Sequence, residues 1–231
     1  MTLKITADKL AEFITARTPG HRDSIVRQLR PQKRNFAPYY QAFKPAARDF
    51  LEGGAVDVAI LAAAMAYVRT RKGTRWHEID NGVTIEALKA LKELAPQFQR
   101  SGFTFHRPQN GHKAVLAYPE IQVNVTPHMI VHGERKGAPL VGALRFYLAK
   151  GARYQIGQVG ARLVAVMQHQ WQLKHPTEGR IPDASLCMVA ESMQRRITTA
   201  PADISADLAT IEKGAQAVVA RWHLLFGREA A

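Results

Sequence analysis

After Gly102 the hydrophobic pattern of this chain changes its period, and that change limits the fold more than any other feature. Before it, apolar residues recur at helical spacing. After it, they alternate as in half-buried strands. Leu10, Phe13 and Ile14 mark a first short helix. Pro19 opens a second, with Ile25, Val26 and Leu29 as its stripe, ending before Pro31. Ala46 to Leu51 reads as helical up to Gly53-Gly54, and Val56 to Arg69 as an alanine-rich helix closed by Lys72-Gly73. A further helix begins at Thr84, with Ile85, Leu88, Leu91 and Leu94 on one face and Pro96 as its stop.

Strands or strand pieces follow at Phe103 to His106, His112 to Tyr118, Glu120 to Val125, His128 to His132 and Leu140 to Leu148. Asn110-Gly111 reads as a hairpin turn, and Gly133 to Pro139 as a loop. A helix from about Gln155 to Leu173, a buried strand from Ala184 to Ala190 and a helix from Asp203 to Leu224 complete the chain. The expected fold is therefore α/β (α+β): a mixed central sheet with flanking helices, preceded by a helical N-terminal extension. Residues 1–80 form that basic helical extension and residues 81–231 the α/β core. No internal repeat or low-complexity tract interrupts this order.

Composition narrows the class. Of 231 residues, 46% are hydrophobic and 22% charged, which excludes a disordered chain. A chain this long buries roughly 70% of its unfolded surface and needs no staples. Its single cysteine, Cys187, excludes an internal disulfide, a zinc ribbon and every CxxC motif. The longest apolar run, Val58 to Val68, has 11 residues, well short of the roughly 20 that a spanning helix needs. No leucine-rich leader opens the chain, so the protein is expected to be soluble and cytoplasmic.

Charge is distributed unevenly. Between Arg17 and Arg48 stand eight cations (Arg17, Arg22, Arg27, Arg30, Lys33, Arg34, Lys44 and Arg48) and one acid, Asp23. That is +7 out of a total of +13, whereas residues 200–231 carry −1. A concentrated positive segment is the footprint of phosphate-backbone binding, because each neutralised phosphate releases counterions. Phe36, Tyr39, Tyr40 and Phe43 follow the cluster, where aromatics can stack bases. Pro31, Pro38 and Pro45 divide the segment, so no long amphipathic helix forms to lie on a membrane.

Motifs for other chemistry are missing. The chain has no GxxxxGK[ST], GxGxxG, GxSxG or HExxH, and Cys187 sits within an apolar strand as a core residue. Trp76 to Asp80 reads as a polar loop before a helix. The constellation that remains lies between Glu120 and Leu148. Alternation places Glu120, Gln122 and Asn124 on one face of a strand, and Ala143, Arg145 and Tyr147 on one face of another.

The stretch Val123-Asn124-Val125-Thr126-Pro127-His128-Met129-Ile130-Val131, followed by Gly142-Ala143-Leu144-Arg145-Phe146, resembles the PD-(D/E)XK nuclease superfamily. Over residues 82–190 the element order (helix, three strands, helix, strand) is also similar. The resemblance implies a restriction-endonuclease-like core. In that family an Asp and an acid-x-Lys triplet hold Mg²⁺ and orient the attacking water. Here those positions carry His128, Ala143 and Arg145, with Glu120 the carboxylate left on that face. Gln168, Gln170 and Trp171 loosely match the Gln/aromatic motif of the exonuclease-like branch. The candidate catalytic set is thus Glu120, His128 and Arg145. The resemblance implies a site that has lost its metal and cleavage but retains a phosphate-matching Arg145.

Three functions fit these readings. The first is a nucleic-acid binder without cofactor, an accessory subunit in DNA processing or defence. It would grip DNA or RNA through Arg22, Arg27, Arg30, Lys33, Arg34, Tyr39, Tyr40, Lys44, Arg145 and Lys150. The second is an active Mg²⁺-dependent nuclease in which Glu120, or Glu78 with Asp80, replaces the missing acids. The third is a protein-interaction module whose basic face docks an acidic partner.

Overall fold

Strands that lie almost end to end in the sequence are divided between two sheets. The computed structural model describes residues 2–30, 40–73, 75–99, 102–108, 114–148, 155–177, 179–192 and 194–227. In the smaller sheet β1 (Leu3–Thr6) runs parallel to β4 (Ile121–Asn124), which pairs antiparallel with β3 (Val115–Tyr118). In the larger, β2 (Thr104–His106), β5 (Met129–Arg135), β6 (Ala138–Tyr147), β8 (Met188–Glu191) and β9 (Arg196–Thr199) follow one another across the sheet. A two-residue strand, β7 (Ile181–Pro182), also pairs with β6. β2, β5 and β6 are antiparallel, while β8 is parallel to β6, so the sheet is mixed as expected.

Between β4 and β5 the chain leaves one sheet for the other for local reasons. The Asn124 carboxamide oxygen accepts from the Thr126 N–H at 2.9 Å and from its hydroxyl at 2.6 Å, an Asx turn that ends β4. Pro127 then lacks the N–H that a continuing ladder needs. The polar faces of β4 and β6, expected on one surface, therefore belong to different sheets. The segment Gly133 to Pro139 is not a loop either. β5 runs to Arg135 and turns through Lys136 (φ 52°) and Gly137 (φ 79°), whose paired positive φ values suit a two-residue hairpin.

The helices are α1 (Ala7–Thr15), α2 (Pro19–Arg27), α3 (Phe43–Glu52), α4 (Val58–Thr70), α5 (Arg75–Phe98), α6 (Gly157–Lys174) and α7 (Ser205–Phe226). α5 starts nine residues before the expected Thr84, so the Trp76 to Asp80 stretch is helical rather than a loop. The expected boundary at 80/81 falls inside α5, and β1 gives residues 3–6 a place in a sheet. Ala184 to Leu186 is a short 3₁₀ turn, not the start of a strand. Among the described residues no helix is long and apolar enough to cross a membrane.

β6 is covered on both faces, as a central strand must be. On one side Met129, Leu144 and Phe146 pack with Phe43, Phe50, Leu88 and Leu91 of α3 and α5. On the other, Cys187 and Val189 pack with Leu163, Val164 and Val166 of α6, joined by α1, α7 and the small sheet. Gly142 is where β6 crosses the 3₁₀ turn: a Cβ there would lie 2.3 Å from the Leu186 carbonyl carbon. Leu144 is 0% exposed at the centre of the first layer. Leu144→Ala is expected to cost about 2–5 kcal/mol, measurable as a lower denaturation midpoint at unchanged m-value. An unaltered midpoint would mean that this strand does not carry the core.

Candidate nucleic-acid interface

Arg145 projects from the α1-facing side of β6, and each of its three guanidinium nitrogens donates a hydrogen bond. Its Nε and Nη2 donate to the two carboxylate oxygens of Asp8 at 2.7 and 2.6 Å, and Nη1 donates to the Thr126 carbonyl at 2.5 Å. The pair is largely enclosed, with 12% of the Arg145 side chain and 23% of Asp8 exposed. Burial works against the cation, but the Asp8 charge and hydrogen bonds outweigh it and raise the Arg145 pKa. Asp8 lies in the first turn of α1, which Thr6 caps by accepting from the Lys9 N–H. The bidentate pair thus ties α1 to β6 and to the β4–β5 crossing.

His128 stands beside this pair with the opposite preference. Its Nδ1 accepts from the Phe146 N–H at 2.9 Å, and its ring stacks on Phe146 with centroids 5.7 Å apart. Burial, then Arg145, Lys44 and Arg48, hold its pKa well below 6.5, so the ring is neutral. A neutral ring that takes its hydrogen bond at Nδ1 is a core acceptor. The unfolded chain takes up this proton near pH 6.5 and the folded chain resists it. Its contribution to stability is therefore complete above about pH 6.5 and declines below it, by about 1.4 kcal/mol per pH unit down to the folded pKa. His128→Asn retains an acceptor and removes the titration. The expected result is a shallower fall in melting temperature from about pH 7.5 to 5.5. Parallel falls in both proteins would count against it. His132, lowered to about 4 by burial, Arg180 and His106, titrates in both proteins and cancels.

Lys44 and Arg48 of α3 add positive charge beside Arg145 and His128. The Lys44 pKa is lowered by burial and by repulsion from Arg145 and Arg48, against a smaller attraction to Asp8. The Arg48 Nε is buried without a hydrogen-bond partner among the described residues. Lys44, Arg48 and Arg145 thus repel one another, and the Asp8 carboxylate is bonded to Arg145.

The segment 17–48 carries this imbalance further. Arg17, Arg22, Arg27, Arg30, Lys44 and Arg48 form no ion pair with a described residue. Asp23, the segment's one acid, bonds instead to Arg221 of α7. Arg22, Arg27 and Arg30 are exposed on or just past α2, with Arg30 over the Phe226 ring at 4.1 Å from its centroid. Lys33, Arg34, Tyr39 and Lys150 lie outside the described residues, as does the Asn110-Gly111 turn.

The structure separates several residues that the sequence grouped. Tyr40 is 5% exposed, its N–H bonds to Asp80 Oδ1 at 2.6 Å, and its ring meets Phe43 edge-on, so it is not a base-stacking platform. Phe43 packs edge-on against Phe146 in the core. Glu120 is no partner for Arg145: it sits at φ 62° in the β3–β4 turn of the other sheet, 64% exposed, 3.2 Å from His223 Nε2. Asp80 is wholly buried in α5, bonded to Arg71 at 3.0 Å and to the Tyr40 N–H. Gln170 accepts from the Tyr118 hydroxyl at 2.9 Å, and Trp171 lies beside His175. The carboxylate that meets Arg145 is Asp8, 137 positions away. Its signal in the sequence is that of a helix-capping acid and nothing more. Among the described residues no group of three or more His, Cys, Asp or Glu is placed to hold a metal ion. Comparison with protein-family models, curated proteins and solved structures finds no match.

Proposed function

We propose that this chain binds the phosphate backbone of DNA or RNA in the cytoplasm, without reading sequence and without cleaving. It is an accessory protein of nucleic-acid processing or defence on a nuclease-like fold. One observation carries this reading: six cations between Arg17 and Arg48 have no ion pair with another described residue, and Asp23, the only acid in that stretch, is taken by Arg221. Phosphate contacts of this kind position a backbone, whereas base-edge contacts specify sequence. Within the larger sheet, β2, β5 and β6 after α5, then α6 and β8 parallel to β6, follow the order that the nuclease-like resemblance implies, with β3 and β4 of the smaller sheet inserted between β2 and β5. Arg145, at the position of that family's lysine, serves the fold through Asp8.

A second reading, metal-dependent cleavage, has one observation in its favour. Tyr147 lies two residues beyond Arg145 on the same face. Burial, then the charges of Glu12, Asp8 and Glu191, push its pKa up, although these carboxylates are each bonded to a basic side chain and do not form a metal-holding group among the described residues. One gel decides between the readings. Labelled single- and double-stranded DNA and RNA are incubated with the protein at low salt with Mg²⁺, Mn²⁺ or EDTA. A salt-sensitive shift without cleavage is the expected result. Metal-dependent cleavage that disappears in Glu12→Gln or Glu191→Gln would establish the nuclease instead. Absence of any shift at low salt would overturn nucleic-acid binding.

A further inference from the structure

We propose that the groove where α1, α2 and α7 meet receives a short acidic segment of a partner protein, with one large aliphatic side chain at its centre. The groove encloses about 360 Å³. Its floor is aliphatic, formed by Pro19, Ala217, Ala220 and Leu224, and its rim carries Arg22 and Arg221.

The floor is a second apolar strip on α7. The inward strip of that helix, Ile211, Ala215, Val218 and Trp222, belongs to the core. Ala217, Ala220 and Leu224 follow at spacings of three and four on a neighbouring face, so they form a continuous ridge. All three are exposed, Leu224 by 70%.

Charge identifies the occupant. Arg22 is exposed and unpaired among the described residues. Arg221 bonds to Asp23, and Arg27 is close enough to that carboxylate to help hold its pKa down. Three cations against one carboxylate leave two positive charges unbalanced beside the apolar floor. Arg30, over the Phe226 ring, continues the positive row past the end of α2. An aliphatic side chain flanked by carboxylates matches this surface in both respects. A nucleobase matches it poorly, because stacking needs an open ring. The aromatic lining residue, Phe13, is only 4% exposed and has Arg22 across it at 5.8 Å. The larger groove between α3 and α4, about 520 Å³, offers no such guide. Its charged lining residues, Asp49 and Arg71, are already paired with Arg107 and Asp80.

The groove shares Arg22, and beside it Arg27 and Arg30, with the proposed phosphate-binding segment, so the two ligands are expected to compete; the aliphatic lining is what distinguishes the groove. The test uses the full chain and a panel of fluorescein-labelled decapeptides, each with Leu, Ile, Met or Phe between pairs of Asp or Glu. Each has a counterpart with Ser at the centre, and a labelled oligonucleotide is titrated in parallel. Fluorescence anisotropy is expected to show at least one aliphatic peptide binding about tenfold more tightly than its serine counterpart. Leu224→Asp is expected to erase that difference, and Arg22→Glu to weaken the same peptide by about tenfold. Both positions are exposed, so the melting temperature serves as the control for folding. The proposal is overturned if no peptide exceeds its serine counterpart, or if Leu224→Asp leaves peptide binding unchanged. It is equally overturned if Leu224→Asp weakens the oligonucleotide as much as the peptide, which would make the groove part of the nucleic-acid surface.

Discussion

Asp8→Ala is expected to destabilise the protein by about 3 kcal/mol and to lower its melting temperature by about 6–12 °C. The reason is the charge left behind rather than the contact removed. Arg145 would keep a mostly enclosed guanidinium with two donors unsatisfied, facing Lys44 and Arg48 without a counter-ion. Removing one member of an enclosed pair costs more than replacing both with apolar groups, because the survivor's desolvation is no longer offset. Asp8→Ala/Arg145→Met is therefore expected to recover a substantial part of the loss, and thermal melts of the two singles and the double would measure the coupling. Asp8→Asn, which keeps one acceptor without the charge, is expected to fall between wild type and alanine. A loss below about 1 kcal/mol in Asp8→Ala would place the pair among ordinary surface bridges and free Arg145 for a ligand.

The second large effect concerns binding. Replacing Arg27, Arg30 and Lys44 with Ala is expected to weaken nucleic-acid affinity by about 10²-fold at 0.1 M salt, almost equally for unrelated sequences. The slope of log affinity against log salt is expected to shallow by up to about three, since each phosphate contact on duplex DNA contributes roughly 0.9. None of these side chains has an ion partner among the described residues, so their loss leaves no buried charge and the fold is expected to persist. Fluorescence titrations at several salt concentrations would separate the outcomes. Unchanged affinity would reduce the segment to a solvated face, and a loss confined to one sequence would point to base contacts.

Much of the fold was legible in the sequence, and the parts that were not share a cause. The period change after Gly102, Pro19 at the start of α2, and the apolar stripes of α6 and α7 are local signals, and the elements they predict are present. β1 and β9 were missed; β1 takes its place in a sheet from a partner at the other end of the helical segment, Leu3 opposite Ile121, which is not a local signal. α5 began early because its first turns look polar, yet Asp80 is satisfied by Arg71 and the Tyr40 N–H, an outcome set by residues far along the chain.

The site divides in the same way. The excess of cations between Arg17 and Arg48 is a property of composition, because Asp23 is the only acid in that stretch. Which of those cations stay unpaired was decided by tertiary structure, since Asp23 was free to choose Arg22 or Arg27 and went to Arg221 of α7. Tertiary structure also turned Tyr40 and Phe43 inward, split β4 from β5 and brought Asp8 to Arg145. Periodicity and charge act within a few residues and can be read from the chain directly. Pairing across 137 positions depends on which surfaces the packed core brings together, and only the folded molecule contains that information.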